Sequence, residues 1–282
     1  MAIEHNYLVN GNFDQAISPF DRGFSYGDGI FRTLKIVNGL PQHWPQHYQK
    51  LVADCAVIGI VCPSAELLMS DFLQLFVIDA TFNEVTTDKV AVAKIIITRG
   101  ESKRGYAPPA ITTPMRVILK SAMRQYADVN YAEGVRLHVC ETKLAAQPKL
   151  AGIKHLNRLE NVMAHMEWQD ETHFDGLMLD QQDNVIECTM SNIFARFNDT
   201  LVTPDLSQCG VAGITRQAII GLSDPLKLKI EITQLSLQRL IEADEVFICN
   251  SLYGAFQVRN ILNTSWSPQT LAKKIRNLLA YD

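Results

Sequence analysis

Residues 90–98 read Val-Ala-Val-Ala-Lys-Ile-Ile-Ile-Thr, a β-branched run of strand length broken by one lysine. It predicts a strand, as does the run from Met115 to Leu119. The chain opens with Tyr7-Leu8-Val9, then Asn10-Gly11, then residues around Phe13, the pattern of two short strands joined by a tight turn. Residues 30–37 form another strand-like run that ends in Asn38-Gly39. Between these runs the spacing changes to helical. Residues 46–60 place Leu51, Cys55 and Ile58 on one face, and residues 64–79 form a second helical stretch. Helices and strands mix without strict β-α-β alternation, so the first part of the chain predicts an α+β domain.

Residues 121–131, Ser-Ala-Met-Arg-Gln-Tyr-Ala-Asp-Val-Asn-Tyr, are more polar and hold no sustained period. They are expected to be an interdomain linker, with an N-terminal domain over 1–120 and a C-terminal domain over 132–282. Beyond the linker come a strand at 135–140, a helix over about 155–170, and a hairpin of Gly-Leu-Met-Leu-Asp and Val-Ile-Glu-Cys-Thr about Gln-Gln-Asp-Asn. The apolar row of that helix is Leu156, Leu159, Met163 and Met166. A further helix opens at Gly-Ile-Thr-Arg and a strand covers 245–250. No internal repeat or low-complexity tract interrupts the order.

With 282 residues, 47% of them hydrophobic, the chain has material for two domain cores. A net charge of −4 without blocks of like charge gives no basic stripe for nucleic acid. The six cysteines, Cys55, Cys62, Cys140, Cys188, Cys209 and Cys249, are scattered without a C-x-x-C pair and read as reduced core residues. The N-terminus lacks the basic-then-apolar pattern of an export signal. The most apolar stretch, 67–82, is interrupted by Asp71, Gln74 and Asp79, too polar for a membrane span. A soluble, cytoplasmic protein is expected.

Chemistry concentrates in the second half. Lys154, in Ala-Gly-Ile-Lys-His-Leu-Asn-Arg-Leu-Glu, falls beside Ile153 and just ahead of the expected helix. There the positive helix end and burial would lower its pKa, as an imine-forming amine requires. The alternative is an ordinary solvated lysine. Glu187 lies inside an apolar strand, where a carboxylate needs a partner: an arginine, or a pyridinium N–H that it would hold. Gly213-Ile214-Thr215 opens a helix, which suits a phosphate or simply makes Thr the cap. Asn250-Ser251 follows a strand and could close the same cup. Thr-Arg-Gly-Glu-Ser-Lys-Arg-Gly-Tyr (98–106) is either a solvated loop or a carboxylate clamp through Arg104 and Tyr106. The glycines of Ser-Tyr-Gly-Asp-Gly-Ile-Phe match no nucleotide fingerprint and read as a turn. His43 and His47 are separated by Pro45 with no third ligand in view, so no metal centre is expected.

Lys154, Glu187 and the Gly-Ile-Thr helix start, in this order, resemble the class IV aminotransferase family, the fold-type IV enzymes that use pyridoxal 5'-phosphate. Ala-Gly-Ile-Lys-His-Leu-Asn-Arg-Leu-Glu, Gly-Asp-Gly-Ile-Phe-Arg-Thr, Arg-Gly-Tyr and Ala-Asp-Glu-Val-Phe-Ile-Cys-Asn are most similar to its aminodeoxychorismate lyases. The resemblance implies a two-domain fold with a smaller N-terminal and a larger C-terminal, cofactor-binding domain, and a homodimer. It implies that Lys154 bonds covalently to the cofactor, that Glu187 faces the pyridine nitrogen, and that Val211 packs on the ring. Ile214, Thr215, Ser251 and Asn250 would bind the phosphate; Arg104, Tyr106 and Thr33 would meet the substrate, aminodeoxychorismate. Where the family reads His-x-x-Arg-Leu, this chain has His47-Tyr48-Gln49-Lys50-Leu51, so Lys50 would take the phosphate contact without a bidentate fork. Phe31-Arg32-Thr33 replaces the Phe-Glu-Gly of branched-chain transaminases. A D-amino-acid or branched-chain transaminase is the alternative on the same scaffold, and a non-catalytic relative a third reading.

Overall fold

The computed structural model describes residues 5–13, 15–77 and 90–281. The chain divides into two units, one of residues up to Arg124 together with Lys154–Asn157, the other of Gln125–Ile153 and residues from Arg158 onward.

In the first unit the elements are β1 (Tyr7–Val9), β2 (Asn12–Phe13), α1 (Arg22–Tyr26), β3 (Gly29–Val37), β4 (Leu40–Pro41), α2 (Trp44–Val57), α3 (Ala65–Phe76), β5 (Val90–Thr98) and β6 (Met115–Ala122). The strands make an antiparallel sheet in the order β2-β1-β6-β5-β3-β4. Both Asn-Gly pairs are two-residue hairpin turns, with φ of 51° and 81° at Asn10 and Gly11 and of 49° and 79° at Asn38 and Gly39. Those positive angles are what such turns require and what Asn and Gly tolerate. Along β3 the period is two. Ile30, Arg32, Leu34 and Ile36 are buried, while Phe31, Thr33, Lys35 and Val37 are partly exposed on the other face. The buried apolar row joins Leu51 and Cys55 of α2 and Leu68 and Phe72 of α3 in one core. Each such side chain contributes ~1.5–3 kcal/mol. Ser64 caps α3 by accepting from the Leu67 N–H. The end of the helical stretch expected over 64–79 lies outside the described residues.

The second unit contains α4 (Asp128–Ala132), β7 (Val135–Val139), α5 (Leu159–His165), β8 (Asp175–Leu179), β9 (Val185–Cys188), β10 (Asn192–Phe197), β11 (Thr200–Pro204), α6 (Ile214–Ile220), α7 (Ser223–Leu226), β12 (Lys229–Thr233), α8 (Leu237–Ile241), β13 (Glu245–Asn250), β14 (Gly254–Ile261), β15 (Thr264–Ser265) and α9 (Leu271–Leu278). Its mixed sheet runs β12-β11-β10-β13-β14-β7-β8-β9, with β15 beside β14. One core gathers Leu137, Leu177, Val185, Ile193, Val246 and Phe256. Another sets Phe194 and Phe247, stacked at 5.0 Å, against Ile219 of α6 and Ile275 of α9. The α+β class read from the pattern is the class observed.

Residues 121–131, expected as the interdomain linker, hold the end of β6, the division between the two units after Arg124, and most of α4. Two other expectations change. The helix expected over about 155–170 is α5 alone, Leu159–His165. Residues 154–156 instead lie along the free edge at the start of β3: Phe31 N–H donates to the Lys154 carbonyl (2.9 Å), Leu156 N–H to the Gly29 carbonyl (3.0 Å), and His155 bridges Ile30. Backbone groups satisfied by a strand edge are not available to a helix. The apolar row is also not a core face. Leu159, Met163 and Met166 are exposed, and Ala164 is the buried residue of α5.

Candidate active site

Lys154 is half-buried in the first unit. Its N–H faces the Asp54 Oδ2 at 3.4 Å, its carbonyl accepts from Phe31, and its Nζ stands 4.7 Å from the Phe31 ring centre. It precedes the first residue of α5 by five positions, whereas the expected helix begins at the next residue. Its surroundings are an aromatic face and a cluster of charges.

Asp54 forms the centre of that cluster. It lies on α2, 1% exposed, and binds the Arg32 guanidinium and the Lys50 ammonium. Burial pulls the pKa of both cations down, with Asp54 opposing the shift in each. Lys50, expected to reach a phosphate, thus has its ammonium on Asp54 one turn along its own helix. On the partly exposed face of β3, Thr33 is paired directly with Lys94 of β5. The Lys94 Nζ stands 4.8 Å from the centre of the same Phe31 ring. Sequence pattern singles out neither Asp54 nor Lys94, and marks Arg32 only as part of Phe31-Arg32-Thr33. A usable signal existed for Arg32, a charge in the buried row Ile30-x-Arg32-x-Leu34 of a strand with period two. Arg104 and Tyr106 belong to an exposed loop of this unit, Tyr106 being 85% exposed.

In the second unit Glu187 is buried in β9 and its Oε2 accepts the Val211 N–H at 2.8 Å. The segment at Val211 is pinned on both sides. Gly152 N–H donates to the Gly210 carbonyl, and Ala212 N–H to the Gly152 carbonyl. Asn192 Nδ2 donates to the Val211 carbonyl at 2.8 Å, and its Oδ1 accepts the Gly213 N–H at 3.2 Å. Asn192, the first residue of β10 and five positions after Glu187, was not among the residues expected at the site.

Gly213, not Thr215, caps α6, and no side chain caps its first amides. Thr215 is buried inside the helix with its hydroxyl 3.0 Å from that of Tyr281. A Cβ at Gly213 would run into the Asn192 amide, so this helix start admits backbone only. Asn250 accepts from the N–H groups of Leu252 (2.9 Å) and Tyr253 (3.2 Å) and so shapes the turn that contains the half-buried Ser251. Among the described residues no three His, Cys, Asp or Glu side chains gather as a metal site. No described helix is long and apolar enough to cross a membrane.

The chain is 34% identical to the aminodeoxychorismate lyase of Vibrio harveyi over 255 residues, 90% of this chain and 91% of that protein. It is 27% identical to a D-alanine aminotransferase of Listeria monocytogenes over 88% of this chain and 82% of the relative. Among solved structures, 4-amino-4-deoxychorismate lyase from Pseudomonas aeruginosa superposes with a TM-score of 0.88 at 38% identity, covering 98% of each chain. Residues 29–261 match the family described as amino-transferase class IV, a span that includes Lys154, Glu187 and the start of α6. On the order of these residues, the two-unit architecture and that match, the chain belongs to the class IV aminotransferases.

Proposed function

We propose that this chain is a pyridoxal 5'-phosphate-dependent aminodeoxychorismate lyase, which releases pyruvate from 4-amino-4-deoxychorismate and leaves 4-aminobenzoate for folate synthesis. The observation that carries the reading is the identity with the Vibrio harveyi lyase across nine-tenths of the chain. The side chains suit the cofactor. Lys154 presents its amine from a backbone tied on both sides. Glu187 is a buried carboxylate with one oxygen already on a backbone N–H, which suits a protonated ring nitrogen. The first amides of α6, at Ile214 and Thr215, lack a side-chain cap, which suits a phosphate, with Ser251, Asn250 and Lys50 as further expected contacts. We read the second unit as the main cofactor-holding domain.

When bound, the cofactor supplies an electron-accepting pyridine ring. Glu187 would keep positive charge on the ring nitrogen, and Val211 would support the ring. The neutral amine of Lys154 would take the proton from the amine-bearing carbon of the substrate, a positioned base of the kind worth ~10²–10⁴-fold. Arg104 and Tyr106 would hold a substrate carboxylate, with Thr33 on the exposed face of β3 near the reacting end. Loss of enolpyruvate from the neighbouring carbon aromatises the ring. That step is downhill, so binding and orientation are the protein's main tasks. A second copy of the chain is the proposed partner, and the six unbonded cysteines suit a reducing, cytoplasmic compartment.

The D-alanine aminotransferases among the relatives support a transaminase as the second reading. The test is an absorbance spectrum before and after borohydride, followed by a pyruvate assay with aminodeoxychorismate. A reducible band with pyruvate release, both lost in Lys154→Ala, is the expected result. A reducible band with sustained amino transfer and no pyruvate from that substrate would replace the lyase by the transaminase.

A further inference from the structure

The loop over residues 102–106 and the strap over residues 154–157 are both anchored on one turn of the first unit, residues 21–29. On the loop side the anchor is a single buried guanidinium. Arg22, 4% exposed, donates from Nε to the Asp28 Oδ2 at 2.8 Å. Its Nη1 donates to the Ser102 Oγ and the Gly105 carbonyl, both at 3.0 Å, and its Nη2 to the Tyr106 carbonyl at 2.7 Å. The guanidinium lies 5.0 Å from the Tyr26 ring centre, and the Tyr26 hydroxyl accepts the Gly105 N–H at 3.2 Å.

Asp28 is fixed in turn. Arg99 donates to both of its oxygens, at 2.7 and 3.0 Å, and also to the Ile58 and Gly59 carbonyls at 2.6 and 2.9 Å. Burial pushes the Asp28 carboxyl up, yet Arg99 and Arg22 together hold it below the usual carboxylate range. On the strap side, the Gly27 carbonyl accepts Asn157 Nδ2 at 3.1 Å and the Gly29 carbonyl accepts the Leu156 N–H. Gly27 has φ of 66°, and a Cβ there would collide with the Asn157 amide.

We propose that Arg22 is the positioning residue of the substrate-carboxylate loop. Docked on Asp28, its fork holds Ser102, Gly105 and Tyr106 so that Arg104 and the Tyr106 ring are presented in one direction, on the same turn that seats the Lys154 strap. Only a planar guanidinium fits this arrangement, since four bonds leave from three nitrogens in diverging directions. A lysine would keep the charge but concentrate its donors on one atom. The proposal rests on the reading that Arg104 and Tyr106 meet a substrate carboxylate.

The experiment compares Arg22→Lys, Arg104→Gln and the double variant by kcat and KM with aminodeoxychorismate, and by trypsin cleavage after Lys103 or Arg104. For Arg22→Lys, KM should rise about tenfold or more and kcat should stay within about threefold. Loop cleavage should be about tenfold faster, and the cofactor absorbance unchanged. Arg22→Lys should raise KM by a smaller factor in the Arg104→Gln background than in the parent protein, because Arg22 acts through the loop and only Tyr106 is then left to present. A purely structural role would reduce the active fraction and leave KM where it was. Should Arg22→Lys not fold, Tyr26→Phe deletes only the bond to Gly105. It should raise KM and cleavage by about two- to tenfold, the range of one hydrogen bond. Unchanged KM and cleavage in the Arg22 or Tyr26 variant, with KM raised in Arg104→Gln, would overturn the proposal. Faster cleavage with KM unchanged in Arg104→Gln would instead show that Arg22 holds a loop with no part in binding substrate, a failure of the functional reading.

Discussion

The Lys154 carbonyl accepts the Phe31 N–H at 2.9 Å while the Lys154 ammonium stands 4.7 Å from the centre of the Phe31 ring, so one residue of β3 engages both ends of the lysine. Phe31→Leu separates the two contacts: the backbone bond stays and the aromatic face goes. A cation–π contact is worth ~0.5–2 kcal/mol. The rate at which cofactor added to apo-protein gives a borohydride-sensitive band should therefore fall by about two- to thirtyfold, with little change in Tm. An unchanged rate would mean that the ring does not place the amine.

Glu187→Gln keeps an oxygen to accept the Val211 N–H and removes only the charge. Tm should stay within a few degrees, and turnover should drop by ~10²–10³-fold, the scale for losing one preorganised electrostatic group. Glu187→Ala should differ by also destabilising the fold by ~1–3 kcal/mol, because it leaves the Val211 N–H without its acceptor. Urea unfolding and steady-state kinetics separate the two effects, and full activity in the Gln variant would remove the charge from the mechanism.

Asp54→Ala strands Arg32, which is 3% exposed, without its carboxylate. Breaking a buried pair in this way costs ~3–5 kcal/mol. Lys50→Met leaves the Arg32–Asp54 pair intact and removes a more exposed partner, so its cost should be about 1 kcal/mol or less. Equal losses in urea unfolding would show that Arg32 does not depend on Asp54.

His47 is buried on α2, and burial, with Arg32 and His43 adding to it, pushes its imidazole down to about 3. The unfolded chain takes up that proton near pH 6.5 and the folded chain does not. Stability from this site is therefore complete above pH 6.5 and is lost as pH falls toward 3, with a slope approaching ~1.4 kcal/mol per pH unit. His47→Asn should flatten the acid limb of a Tm-versus-pH curve by one proton's worth. An unaltered slope would place the titration elsewhere.

Much of the fold was legible because local rules act on neighbouring residues. The Asn-Gly turns follow from the positive φ that two-residue hairpins need, and β3, β5 and β9 follow from β-branched runs of strand length. Lys154 and Glu187 stand out as charged residues in apolar company.

The length of α5 was not legible, because spacing alone carries a helix back through Leu156. The partner that claims the 154–156 backbone is the edge of β3, more than a hundred residues away. The same distance hid the charges around the lysine, since nothing local says that Arg32 and Lys50 share Asp54 or that Asp54 reaches the Lys154 N–H.

The sequence by itself determined which residues this protein offers as candidates for imine chemistry and the turns and strands that present them, because periodicity and turn chemistry are properties of adjacent positions. Only the tertiary structure decided what holds those residues: Phe31 and Asp54 on Lys154, Val211 on Glu187, and Arg22 on the loop of Arg104 and Tyr106. Burial and hydrogen bonding between distant segments arise only once the chain has folded.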